Sequence, residues 1–298
     1  MDFGVIINTA YRHVRFNSVF WKLGLLAVFA QGLFSGFGSF PSPSDPSAPK
    51  PDPEFERLTA QVLDWGRDNA VLLGVLGLIL LVLLIWLWIL GLKASAGIIT
   101  GIEDLEEKKP LATFTDLFSR GKSLVWRLVG LQLLLGLVIA VILAVIFGAF
   151  LANPAAGLIT FMVAIPILII FSLYFSFIGQ IALIGIVLEN KRIIQAVKDA
   201  HGYLKRQFVP SLLSMLIVFG LGLLFGLALI ALIVLAVGVG VIIALLFTAL
   251  SKALAAVVLG LFVLGLIGFF IWLTGYFMAF QLAFWTLVYR ALRHLARP

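Results

Sequence analysis

Apolar residues run in stretches of about twenty or more along this chain, and the intervals between them are short and polar. A helix crosses a hydrocarbon layer about 30 Å thick with about 20 such residues. Stretches of that kind extend from Ser18 to Gly38, Ala70 to Leu92, Leu124 to Leu151 and Gly157 to Leu188. The third closes at Asn153-Pro154, a turn signal, and Pro166 predicts a kink in the fourth. Ser211–Leu250 and Ala253–Leu287 complete the chain, parted by Ser251-Lys252. They read as two spans with a re-entrant piece at Val237-Gly238-Val239-Gly240, or as two tight hairpins, for a total of six or eight helices. Six is favoured, because neither stretch holds a polar turn that would satisfy a reversed backbone in lipid. The pattern predicts an all-α fold: a polytopic transmembrane helical bundle of about six spans, one membrane domain over residues 1–298, with amphipathic interfacial helices.

The polar intervals have patterns of their own. Phe3, Ile7, Ala10 and Val14 form an apolar stripe that predicts a cytoplasmic interfacial helix over residues 1–17. Residues 39–69 read as an external Pro-rich loop followed by an amphipathic helix, with Asp52 as N-cap, Pro53 in the first helical position, and Phe55, Leu58, Val62 and Trp65 on one face. Residues 94–123 and 190–208 read as basic interfacial segments. In the first, Thr113-x-x-Asp116 is a capping box. In the second, Asn190 is a candidate cap, Ile193, Val197, Ala200, Leu204 and Phe208 are expected to face lipid, and Lys191, Arg192, Lys198, Lys205 and Arg206 are not. Residues 288–298 read as a cytoplasmic tail. A basic helix before each of three hairpins amounts to a threefold repeat of architecture.

Composition sharpens this picture. The 298 residues are 62% hydrophobic and 12% charged, with a mean hydropathy of +1.17 and a formal charge of +7. Soluble domains are about 25% charged, so this chain lacks the polar residues to cover a water-facing surface. Lys and Arg concentrate in the segments around residues 12–22, 93–127, 191–206 and 290–297, whereas residues 39–69 hold six acids against three bases. The positive-inside rule then places both termini in the cytoplasm and requires an even number of spans. Trp21, Trp86, Trp88, Trp126 and Trp285 fall near the expected inner helix ends, as interfacial anchors do. The expected location is a prokaryotic plasma (inner) membrane. No cysteine is present, which excludes disulfides and thiolate chemistry.

Candidate chemistry is sparse. No nucleophile elbow, zinc-protease, P-loop or dinucleotide pattern occurs. In Glu103-Asp104-Leu105-Glu106-Glu107-Lys108-Lys109 a solvated face with an Asp104–Lys108 pair accounts for the charges. His13, His201 and His294 lie on three separate elements, and Glu189, Asp199 and His201 form the one cluster an enzyme would require. Within the spans the polar residues are uncharged: Gln31, Gln132, Gln180 and Gln281, with Ser172, Ser176, Tyr174 and Thr274. Glutamines there bridge helices by hydrogen bonds or line a pathway. Gly32-x-x-x-Gly36 and Gly222-x-x-x-Gly226 are candidate sites of close helix approach.

The stretch from Ile186 through Glu189 and Ala196 to Phe208 resembles a signature of uncharacterised prokaryotic six-helix integral membrane proteins. It is similar to the membrane domain fused to some glycerophosphoryl diester phosphodiesterases. In that signature a Val-Leu-Glu ends a span, and a basic helix and an aromatic residue lead into the next. Glu189, Ala196 and Phe208 match, and residues 113–126 loosely match the preceding segment. The phosphodiesterase domain is absent, so the resemblance implies a membrane module that is not an enzyme.

The expected function is therefore a non-enzymatic membrane protein that organises lipid or serves as a subunit of a larger membrane complex. No catalytic, cofactor or metal site is expected. Anionic inner-leaflet lipids are the expected partners, together with a second copy or a membrane-complex partner, and no nucleic acid. The lipid- or partner-facing residues are Lys191, Arg192, Lys198, Lys205 and Arg206. The alternative is a channel or facilitator for a neutral or lipid-like substrate, built around Gln132, Gln180 and Gln281.

Overall fold

The computed structural model describes residues 1–35, 61, 64–248 and 251–295, and no strand occurs among them. The chain is an all-α bundle: α1 (Phe3–Phe16), α2 (Ser18–Ser35), α3 (Ala70–Glu106), α4 (Phe114–Arg120), α5 (Val125–Ala152), α6 (Pro154–Glu189), α7 (Ile193–Arg206), α8 (Phe208–Thr248) and α9 (Lys252–Leu295). The expected repeat of architecture is present, since α1 leads into the pair α2 and α3, α4 into the hairpin α5–α6, and α7 into the hairpin α8–α9. Most of the 39–69 segment, with Asp52, Phe55 and Leu58, lies outside the described residues. Its described end, residues 64–68, is helical.

Five helices among the described residues are long and apolar enough to cross a membrane, in keeping with a multi-pass membrane protein. The region 211–289 holds two of them. Helix α8 runs unbroken through Val237-Gly238-Val239-Gly240, because a break in hydrocarbon would leave backbone groups unsatisfied, at a higher cost than two helical glycines. The chain reverses around Ser251, whose Oγ accepts from the Leu254 N–H at 3.4 Å and starts α9.

The long helices have two different halves. Val71–Trp86 of α3, Leu133–Leu151 of α5 and Leu254–Trp272 of α9 carry rows of exposed large apolar side chains, each about 25–30 Å tall and thus close to one hydrocarbon thickness. The other halves, Leu92–Ile102 of α3, Phe177–Val187 of α6 and Met278–Leu292 of α9, are buried in one core with α1, α2, α4 and α7. Helix α2 runs beside this packed end: Phe20 lies against Gly101, and Leu26 and Ala30 lie against Gly91.

Two expected boundaries move as a result, and one expected facing is reversed. Residues 94–102 are the buried continuation of α3 and not an interfacial segment, because Ala94, Ser95, Ala96, Gly97 and Gly101 are small enough to let α2 and α4 close onto them. Residues 288–295 continue α9 rather than forming a free tail. The apolar face of α7 packs on the bundle and not on lipid, with Ala196 and Ala200 buried and Ile193, Val197 and Leu204 against the core. Trp285 is a packing residue, 4% exposed and edge-on to Phe177 at 5.9 Å, whereas Trp86 and Trp126 are exposed as anchors would be.

Close helix approach also occurs at glycines other than those expected. A Cβ on Gly24 would stand 2.0 Å from the Gly275 carbonyl oxygen, and one on Gly91 2.5 Å from the Ala30 nitrogen. Gly222 and Gly226 have nothing within 4 Å of that position, because their side of α8 faces open space. Gly24→Ala is expected to destabilise the packed end by about 1–3 kcal/mol, as overpacking does, while Gly222→Ala leaves stability within about 0.5 kcal/mol. Thermal unfolding of both variants in detergent checks this.

Candidate functional site

Where the apolar helices end, their carboxylates have to find partners. Glu103 of α3 meets Arg290 of α9 at 2.8 Å and Arg293 at 4.0 Å. Arg293 also reaches Glu189 of α6 at 3.4 Å, and the Tyr289 hydroxyl donates to Glu189 Oε1 at 2.6 Å. Lys191 then bridges Glu189 at 2.7 Å and Asp199 of α7 at 2.8 Å. On the flanks Arg120 holds Asp104 at 2.6 Å, and His13 of α1 lies 2.8 Å from Glu106. Six elements are stitched together by these contacts. Asp104 pairs with Arg120 and not with Lys108, since the helix ends at Glu106 and Lys108, with φ 58°, no longer keeps the i,i+4 register.

Lys191 is thereby corrected. Expected on the outward basic face, it is turned inward with a side chain 15% exposed, because Glu189 and Asp199 flank it. Burial pulls its ammonium down, but the hydrogen bonds to Asp199 and Glu189 outweigh burial and hold it above its ordinary value of 10.5. The Glu189, Asp199 and His201 cluster is likewise divided. Its two carboxylates are joined through Lys191, and His201 Nδ1 lies 3.0 Å from the Tyr174 hydroxyl. No group of three metal-ligating side chains stands together among the described residues.

The other four cations on α7 stay outside. Arg192, Lys198, Lys205 and Arg206 are exposed and take part in no ion pair among the described residues. Asn190 does not cap α7, as was expected of it. It ends α6 with φ 52°, a conformation Asn tolerates better than most side chains. Arg127 of α5 locks it there, donating to its carbonyl at 2.9 Å and to its Oδ1 at 2.6 Å. The turn so fixed opens a hollow of about 670 Å³ whose walls include Arg127, Arg192, Ile193, Ile194, Lys198 and Asp199. In the sequence Arg127 counts only as one of the cations that fix orientation and Tyr289 gives no signal, since a Tyr at the end of an apolar run is commonplace.

The intramembrane glutamines have separate settings. Gln132 accepts from the Trp88 indole at 3.4 Å and so joins α5 to α3. Gln180 is turned into the core with its Oε1 unpartnered. Gln281 borders a crevice of about 390 Å³ between α6, α8 and α9, with Ser176, Met215 and Trp285. The side chain of Gln31 lies outside the described residues.

Residues 14–294 match the model of DUF7544, described as a family of unknown function. The chain belongs to that family. No curated protein and no solved structure matches it.

Lys191→Met is expected to destabilise the DUF7544 fold by about 1.5–3 kcal/mol near neutral pH, because it leaves two carboxylates facing each other. A raised folded-state value means that the stability Lys191 contributes is complete below its ordinary value of 10.5 and is lost as pH rises through the raised one. The difference in unfolding midpoint between wild type and variant therefore persists across neutral pH, closes in strong alkali as Lys191 loses its proton, and narrows in acid as Glu189 gains one.

Proposed function

We propose that this protein is a non-enzymatic component of a prokaryotic plasma membrane that organises anionic inner-leaflet lipid around its packed end, both termini being cytoplasmic. The observation that carries this reading is the sorting of charge on α7. Lys191 is neutralised inward, while Arg192, Lys198, Lys205 and Arg206 are left outward without carboxylate partners. Each Lys or Arg held near an anionic leaflet contributes about 1 kcal/mol, so four of them attract acidic lipid strongly enough to alter the composition of the surrounding shell. The same sorting supports cytoplasmic placement of this end under the positive-inside rule. The resemblance to the membrane domain of glycerophosphoryl diester phosphodiesterases supports a lipid-facing module in place of a catalytic one. Service as a subunit of a larger membrane complex would use the same face.

A facilitator of a lipid-like substrate has one observation in its favour, the crevice with Ser176 and Gln281 on its walls. Its apolar lining suits an acyl chain, and it is reached from the lipid side between Phe219 and Leu223, both exposed.

Purification from mixed phosphatidylglycerol and phosphatidylethanolamine bilayers tests the leading reading. Replacing Arg192, Lys198, Lys205 and Arg206 together by Gln is expected to lower the ratio of co-purified anionic to zwitterionic lipid several-fold. The unfolding midpoint should stay within the wild-type range, since none of the four is buried. An unchanged ratio in a folded variant counts against lipid organisation by this face.

A further inference from the structure

The hollow at the start of α7 is a different object from the diffuse basic face. Resting on the lipid reading above, we infer that it is a discrete site for the phosphate of one phospholipid headgroup, with Arg192 and Lys198 as its ligands and Arg127 as the residue that positions them.

Two exposed cations without carboxylate partners line one cavity of about 670 Å³. The cavity is large enough for a glycerophosphate headgroup, and its charge is complementary to a phosphate, because the one acid on its wall, Asp199, is engaged by Lys191. Its remaining wall is Gln195 and two isoleucines. Ile193 and Ile194 line it, and Ile194 is 67% exposed, an arrangement suited to the glycerol and first methylenes of a lipid and not to a free anion in water. The first turn of α7 has no acidic residue, and no side chain caps its first N–H groups. Arg127 spends one guanidinium nitrogen on the Asn190 carbonyl and amide oxygens, which fixes the approach of Arg192. Arg192 thus stands next to a fixed turn and Lys198 on helix α7, which favours binding at low entropic cost.

The site differs from the diffuse face in stoichiometry and in the residues that carry it. Native mass spectrometry of the full chain, released from phosphatidylglycerol and phosphatidylcholine nanodiscs under rising collision energy, reads both. The wild type is expected to hold a single phosphatidylglycerol after the others are stripped. Replacing Arg192 and Lys198 by Gln should lower its occupancy about tenfold, the loss expected for charge-assisted hydrogen bonds, whereas replacing Lys205 and Arg206 by Gln should leave it intact. Both pairs are exposed, so folding is not at stake in either variant. A retained lipid equally occupied in the two variants overturns the site and leaves the broader reading standing. Loss of bulk anionic enrichment in neither variant, nor in all four replaced together, removes the broader reading while the single retained lipid still reports on the site. Displacement of that lipid by millimolar inorganic phosphate as readily as by short-chain phosphatidylglycerol assigns the cavity to a soluble anion and overturns the lipid source.

Discussion

Helices surrounded by lipid gain nothing by hiding apolar surface from their solvent, so a bundle has to be held by contacts that lipid cannot supply. Here those contacts are gathered at one end. Backbones meet at Gly24 with Gly275 and at Gly91 with Ala30, close enough for dispersion between main chains. About 18 Å further along α3 from Gly91 lies Glu103, and it, Glu189 and Asp199 are each neutralised by a cation from another part of the chain. Small residues bring the helices near and the ion pairs set their relative heights. The other halves make few such contacts and present their apolar rows outward.

Charge is divided according to what each residue touches. The carboxylates end the apolar helices at points where leaving them unpaired would be costly, and they recruit Arg290, Arg293, Lys191 and Arg120. The remaining basic residues of α7 have no internal duty. Of these, Arg192 and Lys198 stand near the fixed turn at Asn190, and Lys205 and Arg206 at the opposite end of α7.

The bundle class and its threefold arrangement were legible because span length and interfacial periodicity follow directly from the thickness of the hydrocarbon and the helical repeat. The extent of the helices was not. Ala94-Ser-Ala-Gly97 reads as the start of an interfacial segment, and only the neighbours Leu23 and Leu117 make it a core. The direction of α7's apolar stripe was equally hidden, since lipid and a protein interior select the same residues. Lys191 reads like Arg192 beside it, and nothing in one dimension says that two carboxylates, Asp199 eight residues ahead and Glu189 two residues behind at the end of α6, converge on the former. Asn153-Pro154 and Ser251-Lys252, by contrast, carry their turns in their own chemistry.

The hairpin α8–α9 is gripped at its base, where the Gln207 amide donates to the Leu292 carbonyl at 3.2 Å and Met278–Leu292 is buried. Phe225 stacks on Phe277 at 3.9 Å, and Gly240 rests against Phe262 far along the arm, so its two helices keep company over most of their length. It is therefore a stiff beam clamped at one end. A small rotation at the clamp sweeps the distal turn through a displacement that grows with the length of the beam. A change in membrane thickness or lateral pressure acting on the far turn would in the same way return to the base as torque.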